Sequence, residues 1–268
     1  MRITSQQEEL SPMPHSMTSV APTVAAALGL RPPADATGQP IDEIADDLQG
    51  AEHLAILAPD ALGQHQLDYF ADEMPFLTSL CARRHVVLQA VMPSVTCVNF
   101  ATMITGCELD CHGISSKDLE VQCETLFDVL DEAGLEGAGC GRSSYTGGQL
   151  LARVAQIDGT AALSDDAAVE EAVVRIARES RAAFIIAQIG GTDDHFHRFG
   201  PTSPRMIPKL REVDCRLERM IDDLTGEGYA VIILSDHGQH DTGNPERGGT
   251  HGTDSDEDRL VPCTWLSI

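Results

Sequence analysis

Residues 230–238 read AVIILSDHG, an unbroken apolar run that ends in serine, aspartate, histidine and glycine. Residues 54–60 read LAILAPD and residues 184–193 read FIIAQIGGTD, so an apolar run followed by aspartate occurs three times. Continuous apolar runs without strict alternation are typical of strands that are buried on both faces of a parallel sheet. The three stretches therefore predict a parallel sheet in which an aspartate follows each of three strands.

Further apolar runs and helically spaced segments extend this pattern along the chain. We predict strands at His53–Ala58, Val86–Ala90, Phe184–Ile189, Ala230–Leu234 and Thr264–Ile268. We predict helices at Gln66–Arg83, Cys123–Ala133, Asp165–Ser180 and Pro204–Leu224. Strands that alternate with helices indicate a layered α/β fold.

Two polar, glycine-rich stretches interrupt the alternation. Residues 137–148 read GAGCGRSSYTGG, and we expect a loop near the site or an excursion from the sheet, with its role left open. Residues 239–258 read QHDTGNPERGGTHGTDSDED and separate the last predicted strand from the one before it. A long loop within a compact domain is usually functional, so the second stretch is a candidate part of a site.

The chain is strongly acidic, with 42 Asp and Glu against 18 Lys and Arg and a formal net charge of −24. Such a charge repels nucleic-acid backbones and anionic membranes, so we expect neither nucleic acid nor a membrane as a partner. An anionic substrate could approach only where bound cations reverse the field locally. The charge therefore favours bound metal in any site for a phosphate.

Size and cysteine usage give the expected organisation and compartment. A chain of 268 residues with 42% hydrophobic content can bury one core, so we expect one domain over residues 1–268, with residues 1–18 flexible. The eight cysteines form no CxxC pair, and residues 1–14 lack a signal-peptide pattern. No stretch approaches the roughly 18 apolar residues that span a membrane. We expect a cytoplasmic protein with reduced thiols, and a homo-oligomer is compatible with the sequence.

The predicted topology brings Asp60, Asp193 and Asp236 to one edge of the sheet, because ligands of open α/β sheets bind at the carboxyl ends of strands. Taken alone, Asp60 could equally be a turn former or a helix N-cap. Asp236 is followed directly by His237, and carboxylate with imidazole suits Zn²⁺ or Mn²⁺. The three aspartates therefore indicate a metal site.

Two further histidines extend this candidate site. Asp193 and His197 are four residues apart, which places them on one side of a helical turn, although a surface ion pair has the same spacing. His251 lies in GGTHGT, where the flanking glycines leave the backbone free to aim the imidazole. These residues are candidates for a second group of ligands.

Thr96 is the candidate nucleophile. It lies in residues 93–106, PSVTCVNFATMITG, where an extended stretch ends and an apolar helix begins. A threonine there is also a good N-cap, which is the structural alternative. The free N–H groups and positive potential of a helix N-terminus would lower the pKa of the hydroxyl and hold a phosphate, and a metal would complete its activation. No GxSxG or GxxxxGK[ST] motif indicates esterase or P-loop chemistry.

These residues resemble motifs of the alkaline phosphatase superfamily, in its nucleotide pyrophosphatase/phosphodiesterase-like and phosphonoacetate hydrolase-like branch. The matching stretches are AILAPDALG, MPSVTCVNFATMITGCELDCHGI, TDDHFHRFGP, PRMIPKLREVDCRLERMIDDLTGEGYAVIILSDHG and THGTDSDEDRLVP. They cover most of the chain from about residue 54 onwards. The resemblance implies a three-layer sandwich with a mostly parallel central sheet flanked by helices, and a metal site at the carboxyl ends of the strands.

The resemblance also implies two divalent metal ions, with zinc expected first and manganese accepted by the same ligands. One ion would be held by Asp60, Thr96, Asp236 and His237, and the other by Asp193, His197 and His251. The family's histidine stands two residues before the FGP motif, which selects His197 over His195 and Asp193 over Asp194. Thr96 would attack phosphorus and form a phosphothreonine intermediate that is then hydrolysed.

Two residues are expected to contact the substrate, Lys117 and Asn99. The diesterase branch has a Gly-Asn pair after HGI, and its asparagine binds a phosphoryl oxygen, whereas this chain continues after Ile114 with Ser115, Ser116 and Lys117. A cation there would suit the extra charge of a phosphate monoester. The alternative for Lys117 is a solvated loop lysine.

Residues 19–44, SVAPTVAAALGLRPPADATGQPIDEI, resemble the element that closes this fold at its C-terminal end. Here that element precedes the first strand, and the chain stops at VPCTWLSI, where the element would follow. A circular permutation is the simplest account and requires the usual termini to lie near each other. The alternative is a chance alanine-rich helix followed by a proline-glycine turn.

The predicted function is metal-dependent hydrolysis of a small phosphate monoester or diester. A phosphonate hydrolase that cleaves a carbon–phosphorus bond is the first alternative. A phosphomutase would use the same metals but usually carries a large inserted domain, for which this chain is short. A non-catalytic metal-binding module is the alternative from another class, and the retained Thr96 argues against it. The sequence leaves the leaving group open, together with the choice between zinc and manganese.

Overall fold

The computed structural model describes residues 13–163, 165–244 and 246–268. Within these ranges the strands are β1 (His15–Ser16), β2 (Leu54–Pro59), β3 (Val86–Gln89), β4 (Gly137–Arg142), β5 (Ile157–Ala161), β6 (Phe184–Ile189), β7 (Ala230–Leu234), β8 (His240–Asn244), β9 (Arg247–Thr250) and β10 (Leu260–Leu266). The α-helices are α1 (Val20–Ala27), α2 (Asp42–Asp47), α3 (Gln64–Tyr69), α4 (Pro75–Cys81), α5 (Thr96–Thr105), α6 (Leu109–His112), α7 (Leu126–Glu132), α8 (Ala152–Val154), α9 (Asp166–Glu179), α10 (Gly191–Phe199), α11 (Ile207–Gly226) and α12 (Asp256–Arg259). A π-helical turn spans Gly147–Leu151.

The strands form one large sheet and a small hairpin. The large sheet has the order β1-β3-β10-β7-β2-β6-β4-β5. Its pairings are parallel except at β10, which runs antiparallel to both β3 and β7. Strands β8 and β9 pair separately and antiparallel. The predicted α/β class with a mostly parallel central sheet is confirmed.

Alternate residues of the central strands enter two different cores, one on each face of the sheet. In β7, Ala230, Ile232 and Leu234 belong to one buried cluster, whereas Val231 and Ile233 belong to the other. Helices α1, α5 and α7 contribute to the first cluster, and α4, α9 and α11 contribute to the second. Because strands covered on both faces need apolar side chains throughout, the sequence shows continuous apolar runs. The result is the three-layer sandwich that the resemblance implied.

The helices lie close to their predicted positions, with one division. The predicted helix at residues 66–83 is split into α3 and α4, because Pro75 has no N–H to donate and instead occupies the first turn of α4. Helix α7 begins after Thr125, whose side chain forms a reciprocal capping box with Asp128. The predictions at residues 165–180 and 204–224 correspond to α9 and α11.

The expectation of a loop at residues 137–148 is wrong for residues 137–142, which form the buried strand β4 between β6 and β5. Glycine and alanine have low strand propensity, so the sequence gives little strand signal here. The small residues are needed because the π-helical turn packs directly on the strand: a Cβ on Gly139 would lie 2.2 Å from the backbone of Leu151. This packing directs the end of β4 and the following residues towards the carboxyl edge of the sheet.

The last strand begins earlier than predicted, at Leu260 rather than Thr264. A proline within an apolar run argues against a central strand, because it cannot donate to the sheet. Here Pro262 pairs only with Val87 of β3, and pairing with β7 begins at Cys263. Pro262 therefore lies at a position of β10 that does not pair with β7.

Residues 15–48 extend the sheet and the first core cluster. Strand β1 pairs parallel with β3, and Met17 is fully buried. The expected flexibility of residues 1–18 therefore does not hold from His15 onwards, and residues 1–12 lie outside those described. Helix α1 packs against α2 and α5, so residues 19–44 are an integral part of the core. That this element is circularly permuted stays a prediction, as does the single domain over residues 1–268.

None of the helices in the described ranges combines the length and the apolar character needed to cross a bilayer.

Candidate active site

Three adjacent strands position the acidic side chains. Strands β7, β2 and β6 are neighbours in the sheet and run parallel, so their carboxyl ends lie at the same edge. Asp60 follows β2 directly, Asp236 comes two residues after β7, and Asp193 lies in the first turn of α10 after β6. The fold thus brings the three aspartates to the place predicted from the strand ends.

A first group of candidate ligands is buried beneath this edge. Asp60, Asp236 and His237 are each at most 1% exposed, and their donor atoms all lie within 4.8 Å of one another. Nε2 of His237 is 3.3 Å from Oδ2 of Asp236 and 3.7 Å from Oδ1 of Asp60. The hydroxyl of Thr96 is 3.1 Å from the same Nε2. The structure therefore brings together the four residues that the resemblance assigned to one ion.

A second group lies beside the first. The donor atoms of Asp193, His197 and His251 also lie within 4.8 Å of one another. Oδ1 of Asp193 is 3.2 Å from Nε2 of His197 and 3.7 Å from Nε2 of His251. The imidazole rings of His237 and His251 stack with 4.0 Å between their centroids, so the two groups are contiguous.

Both groups fit divalent cations. Oδ1 of Asp60 and Oδ2 of Asp236 are buried without a hydrogen-bond partner, although a buried carboxylate oxygen needs one or a cation. Burial raises the pKa of Asp60 well above its usual range, and the charges of Asp236 and Asp193 raise it further. Carboxylate and imidazole donors together match the preferences of Zn²⁺ and Mn²⁺. Cations at these positions would offset the repulsion between the carboxylates.

The three histidines turn the same nitrogen towards the carboxylates. Nδ1 of His237 lies 2.9 Å from the carbonyl of Gly238, and Nδ1 of His251 lies 3.1 Å from that of Ser94. Nδ1 of His197 lies 2.9 Å from the carbonyl of Gly249. A carbonyl oxygen accepts a hydrogen bond from Nδ1 only when Nδ1 carries a proton. We therefore assign the Nδ1–H tautomer to all three histidines, which leaves Nε2 free to bind a cation.

Two further contacts bear on these imidazoles. The guanidinium of Arg247 also approaches Nδ1 of His197, at 3.1 Å, and we assign the proton from the shorter contact to the carbonyl. Burial, and after it the charges of the neighbouring His237 and His197, together lower the pKa of His251 to about 2. His251 is therefore neutral at ordinary pH, as a metal ligand must be.

Thr96 is the first residue of α5, and Val95 is the N-cap, with no side-chain capping bond. The interpretation of Thr96 as an N-cap is therefore wrong, because its hydroxyl points to His237 instead of to the helix. Ser94 donates to the carbonyl of Thr253 at 2.7 Å. This contact ties the segment before Thr96 to the segment that carries His251.

Asn99 does not reach the site. It is fully buried, its Oδ1 accepts from the N–H of Val91, and its Nδ2 donates to the carbonyls of Val91 and Val95. All of its hydrogen-bonding capacity is directed at the backbone, so the expected contact with substrate is replaced by a structural one. Asn99 fixes the turn that delivers Thr96.

Lys117 lies over a cavity of about 250 Å³ at the site. The lining consists of residues from both ligand groups and from the rim, namely Asp60, Thr96, Lys117, Ser144, Tyr145, Thr146, Gln188 and Asp193. The ammonium group of Lys117 donates to the carbonyl of Ser144. Lys117 is partly exposed, and its contact with substrate stays a prediction.

Asp194 is occupied elsewhere. One of its carboxylate oxygens accepts from the guanidinium of Arg142 at 2.8 Å, and the other accepts from the hydroxyl of Tyr145 at 2.5 Å. His195 contacts the carbonyl of Gly191 at 2.8 Å. The structure therefore places Asp193 and His197, rather than Asp194 and His195, with the other candidate ligands.

Gln188 and Gln239 were not among the predicted site residues, although both contact the candidate ligands. Nε2 of Gln188 donates to Oδ2 of Asp60, and its Oε1 accepts from the N–H of Gly147. Nε2 of Gln239 donates to Oδ1 of Asp193 at 2.6 Å. Both glutamines are buried, and their amides orient the carboxylates. The one sequence signal that could have identified either of them is that Gln188 is a polar residue within the apolar run of β6.

The sequence model of the family described as type I phosphodiesterase / nucleotide pyrophosphatase matches residues 54–121 and 148–253 of this chain. These stretches make up more than half of the chain. They include Thr96, Lys117 and every candidate metal ligand of the two groups.

Curated relatives match over shorter parts of their own length. The chain is 23% identical to a venom phosphodiesterase of Naja atra over 221 residues, which cover 69% of this chain and 26% of that protein. It is 31% identical over 101 residues to GPI ethanolamine phosphate transferase 3 of Schizosaccharomyces pombe, which is 38% of this chain and 10% of that protein. The chain thus spans about a quarter or less of these relatives.

Several solved structures share the fold. Human ectonucleotide pyrophosphatase / phosphodiesterase 5 superposes with a TM-score of 0.63 at 13% identity, over 80% of this chain and 88% of that chain. The phosphonoacetate hydrolase of Sinorhizobium meliloti, in complex with phosphonoacetate, gives 0.58 at 19% identity, over 72% of this chain and 58% of that chain. An inactive murine form of the first protein, in which one threonine is replaced by alanine, is in complex with AMP and gives 0.63 at 14% identity, over 79% of this chain and 87% of that chain. These likenesses show that the chain shares its fold with these structures.

Proposed function

Because this chain belongs to the type I phosphodiesterase / nucleotide pyrophosphatase family, we propose that it hydrolyses small phosphate esters or phosphonates and that Thr96 is its nucleophile. The observation that carries this proposal is the position of the Thr96 hydroxyl. It lines the site cavity and lies 3.1 Å from Nε2 of His237, beside the buried carboxylates of Asp60 and Asp236.

The two ligand groups support metal dependence. Asp60, Asp236, His237 and Thr96 would hold one divalent cation, and Asp193, His197 and His251 would hold the other. Such ions, when bound, supply positive charge that makes the threonine hydroxyl more acidic and neutralises the phosphoryl oxygens. We propose zinc first and manganese second, because both accept mixed carboxylate and imidazole ligands.

The proposed reaction has two displacements at phosphorus. In the first, the Oγ1 atom of Thr96 loses its proton, which ends on the leaving group, and forms a bond to phosphorus while the bond to the leaving group breaks, which leaves a phosphothreonine. In the second, a water oxygen forms a bond to phosphorus and the bond to Oγ1 breaks, and one proton of that water moves to Oγ1, which restores the hydroxyl. Thr96 can reach the substrate because α5 begins at this residue and its side chain is free of capping contacts.

Lys117 supports a preference for substrates with an extra negative charge. Lys117 lines the same cavity as Thr96, so its ammonium group can meet a phosphoryl oxygen of a bound substrate. A phosphate monoester carries one more ionisable oxygen than a diester, so a fixed cation favours the monoester. The same cation would suit the carboxylate of a phosphonate such as the one bound in the Sinorhizobium meliloti structure.

Phosphonate hydrolysis is therefore the second candidate, and it uses the same site. Cleavage would break a carbon–phosphorus bond instead of an oxygen–phosphorus bond after attack by Thr96. Assays of phosphonoacetate beside a phosphate ester, with equal enzyme, separate the two candidates. A non-catalytic metal-binding module has less support, because the nucleophile lies within the cavity. A cytoplasmic location and a homo-oligomer remain predictions.

The proposal is tested with metal-free enzyme that is reloaded with zinc or manganese. We expect activity on a nitrophenyl phosphate to return on reloading and to exceed activity on the matching diester. Thr96→Ala should bind the same amount of metal as the wild type and should lose turnover, while Thr96→Ser should keep part of it. Full turnover in Thr96→Ala, or in the metal-free protein, would contradict the proposal.

A further inference from the structure

Three cysteines come together away from the site described above. Cys107 follows the end of α5, Cys111 lies in α6, and Cys123 precedes α7. Their sulfur atoms all lie within 4.8 Å of one another, and those of Cys107 and Cys123 are 3.6 Å apart. All three thiols are free.

The spacing of the sulfur atoms fits a shared cation. With zinc–sulfur bonds of about 2.3 Å and tetrahedral angles, two thiolates on one zinc ion stand ~3.8 Å apart. A disulfide would need the sulfur atoms at about 2.05 Å. The 3.6 Å between Cys107 and Cys123 is close to the first value and far from the second.

We propose that Cys107, Cys111 and Cys123 form a zinc-binding site that is separate from the carboxylate and histidine cluster. Thiolates select borderline and soft cations, so three of them favour Zn²⁺ over the harder cations that carboxylates also accept. Cys107 is buried, whereas Cys111 and Cys123 are partly exposed, so the cation can enter from the side of the last two. A fourth ligand can come from water.

The position of this thiolate site gives it a structural consequence for the active site. Cys111 and Cys123 flank the segment that carries Lys117, and Cys107 lies at the far end of the helix that begins with Thr96. The N–H of Gln122 already donates to the carbonyl of His112 at 3.1 Å, which brings the two ends of the segment together. A cation on all three cysteines would fix these ends to α5 and so hold Lys117 over the cavity.

Cobalt substitution distinguishes the thiolate site from the active site. Co²⁺ bound by thiolates gives an intense near-ultraviolet charge-transfer band, which carboxylate and imidazole ligands do not give. We expect the reduced full-length protein to develop this band with one equivalent of Co²⁺ per chain, and Zn²⁺ to displace it. Absence of the band in the reduced protein would overturn the proposal. This holds even if a Cys107–Cys123 disulfide forms when the protein is exposed to air.

Matched serine variants test which thiols bind. Cys111→Ser and Cys123→Ser should each weaken or abolish the band, and they avoid the buried Cys107, whose replacement threatens folding. Cys215→Ser, at an exposed position of α11, should keep the band and is the control. A band of full intensity in both Cys111→Ser and Cys123→Ser would overturn the assignment.

Trypsin tests the structural consequence, because it cuts after Lys117. With zinc present, we expect cleavage after Lys117 to be faster in Cys111→Ser than in Cys215→Ser. Equal cleavage rates would overturn the claim that the thiolate site holds this segment. The test does not depend on the proposed hydrolytic activity.

Discussion

His237 and His251 stack with 4.0 Å between their ring centroids, and they lie on either side of the β8–β9 hairpin. Each directs Nδ1 to a backbone carbonyl and Nε2 to a carboxylate. The contact makes one continuous cluster of the two candidate ligand groups. A substrate that bridges both groups would therefore meet every candidate ligand and the hydroxyl of Thr96.

Asp193 and Asp194 provide a test of the second ligand group. We predict that Asp193→Asn loses one of the ions bound at the active site and nearly all activity. Removal of a ligand should lower activity by more than the roughly 10- to 100-fold that is typical when a residue that only orients a ligand is removed. Metal content per chain after gel filtration is the measurement, with Cys111→Ser as background so that the thiolate site does not contribute.

Asp194→Asn is the matched control, because its carboxylate contacts Arg142 and Tyr145 instead of the ligand groups. It should keep the wild-type metal content. The reverse pattern, with metal lost in Asp194→Asn and kept in Asp193→Asn, would show that the assignment of the two aspartates is inverted.

The chain contains only two lysines, which gives a clean test of Lys117. Lys117→Ala should raise KM for a nitrophenyl monoester by about tenfold, since loss of a charge-assisted hydrogen bond costs roughly 1.5 kcal/mol. The diester should be affected less, because it carries one charge fewer.

Lys209→Ala is the control, because Lys209 pairs with Glu212 on α11. The measurement is KM for both esters, obtained from steady-state kinetics. An equal rise of KM for monoester and diester would show that Lys117 does not select the extra charge.

His85 gives a prediction for the dependence of stability on pH. Burial lowers the pKa of His85 below its usual value, and the charge of Asp68 only partly opposes this. In the unfolded chain a histidine has a pKa of about 6.5, so below that pH the unfolded state binds more protons than the folded state. Stability that is present at neutral pH should therefore be lost as pH falls through the lowered pKa.

We expect His85→Gln to lose less unfolding free energy than the wild type between pH about 7 and about 5. Urea denaturation at each pH measures the free energy. His65→Gln is the control, because His65 is exposed and lies in α3, which α4 separates from His85 in the sequence. The prediction would be contradicted if the unfolding free energy of His85→Gln fell with decreasing pH as steeply as that of the wild type.

The strand ends were the most predictable part of the molecule. Strands β2, β6 and β7 could be located from the sequence because burial on both faces demands long apolar runs, and an aspartate comes within four residues of the end of each. The positions of Asp60, Asp193 and Asp236 follow from this topology alone. Thr96 could be placed at a helix start, but its orientation towards His237 could not be read from propensity.

Other features depend on packing that a sequence does not display. Strand β4 consists of small residues because a helical turn lies against it, and this weakens the local strand signal. Asn99 is turned inwards by the backbone of Val91, and Gln188 and Gln239 reach the carboxylates only in the folded chain. The three thiols are likewise separated along the chain and meet only through the return of residues 113–122.

The central claim is that Thr96 carries the phosphoryl group during turnover. The most direct measurement is mass spectrometry of peptides from enzyme that is quenched in acid during turnover of a nitrophenyl phosphate. We predict a mass increase of one phosphoryl group on the peptide that contains Thr96, and its absence in Thr96→Ala. Turnover by Thr96→Ala at the wild-type rate, or a phosphoryl group on a residue other than Thr96 in the active wild type, would contradict the account.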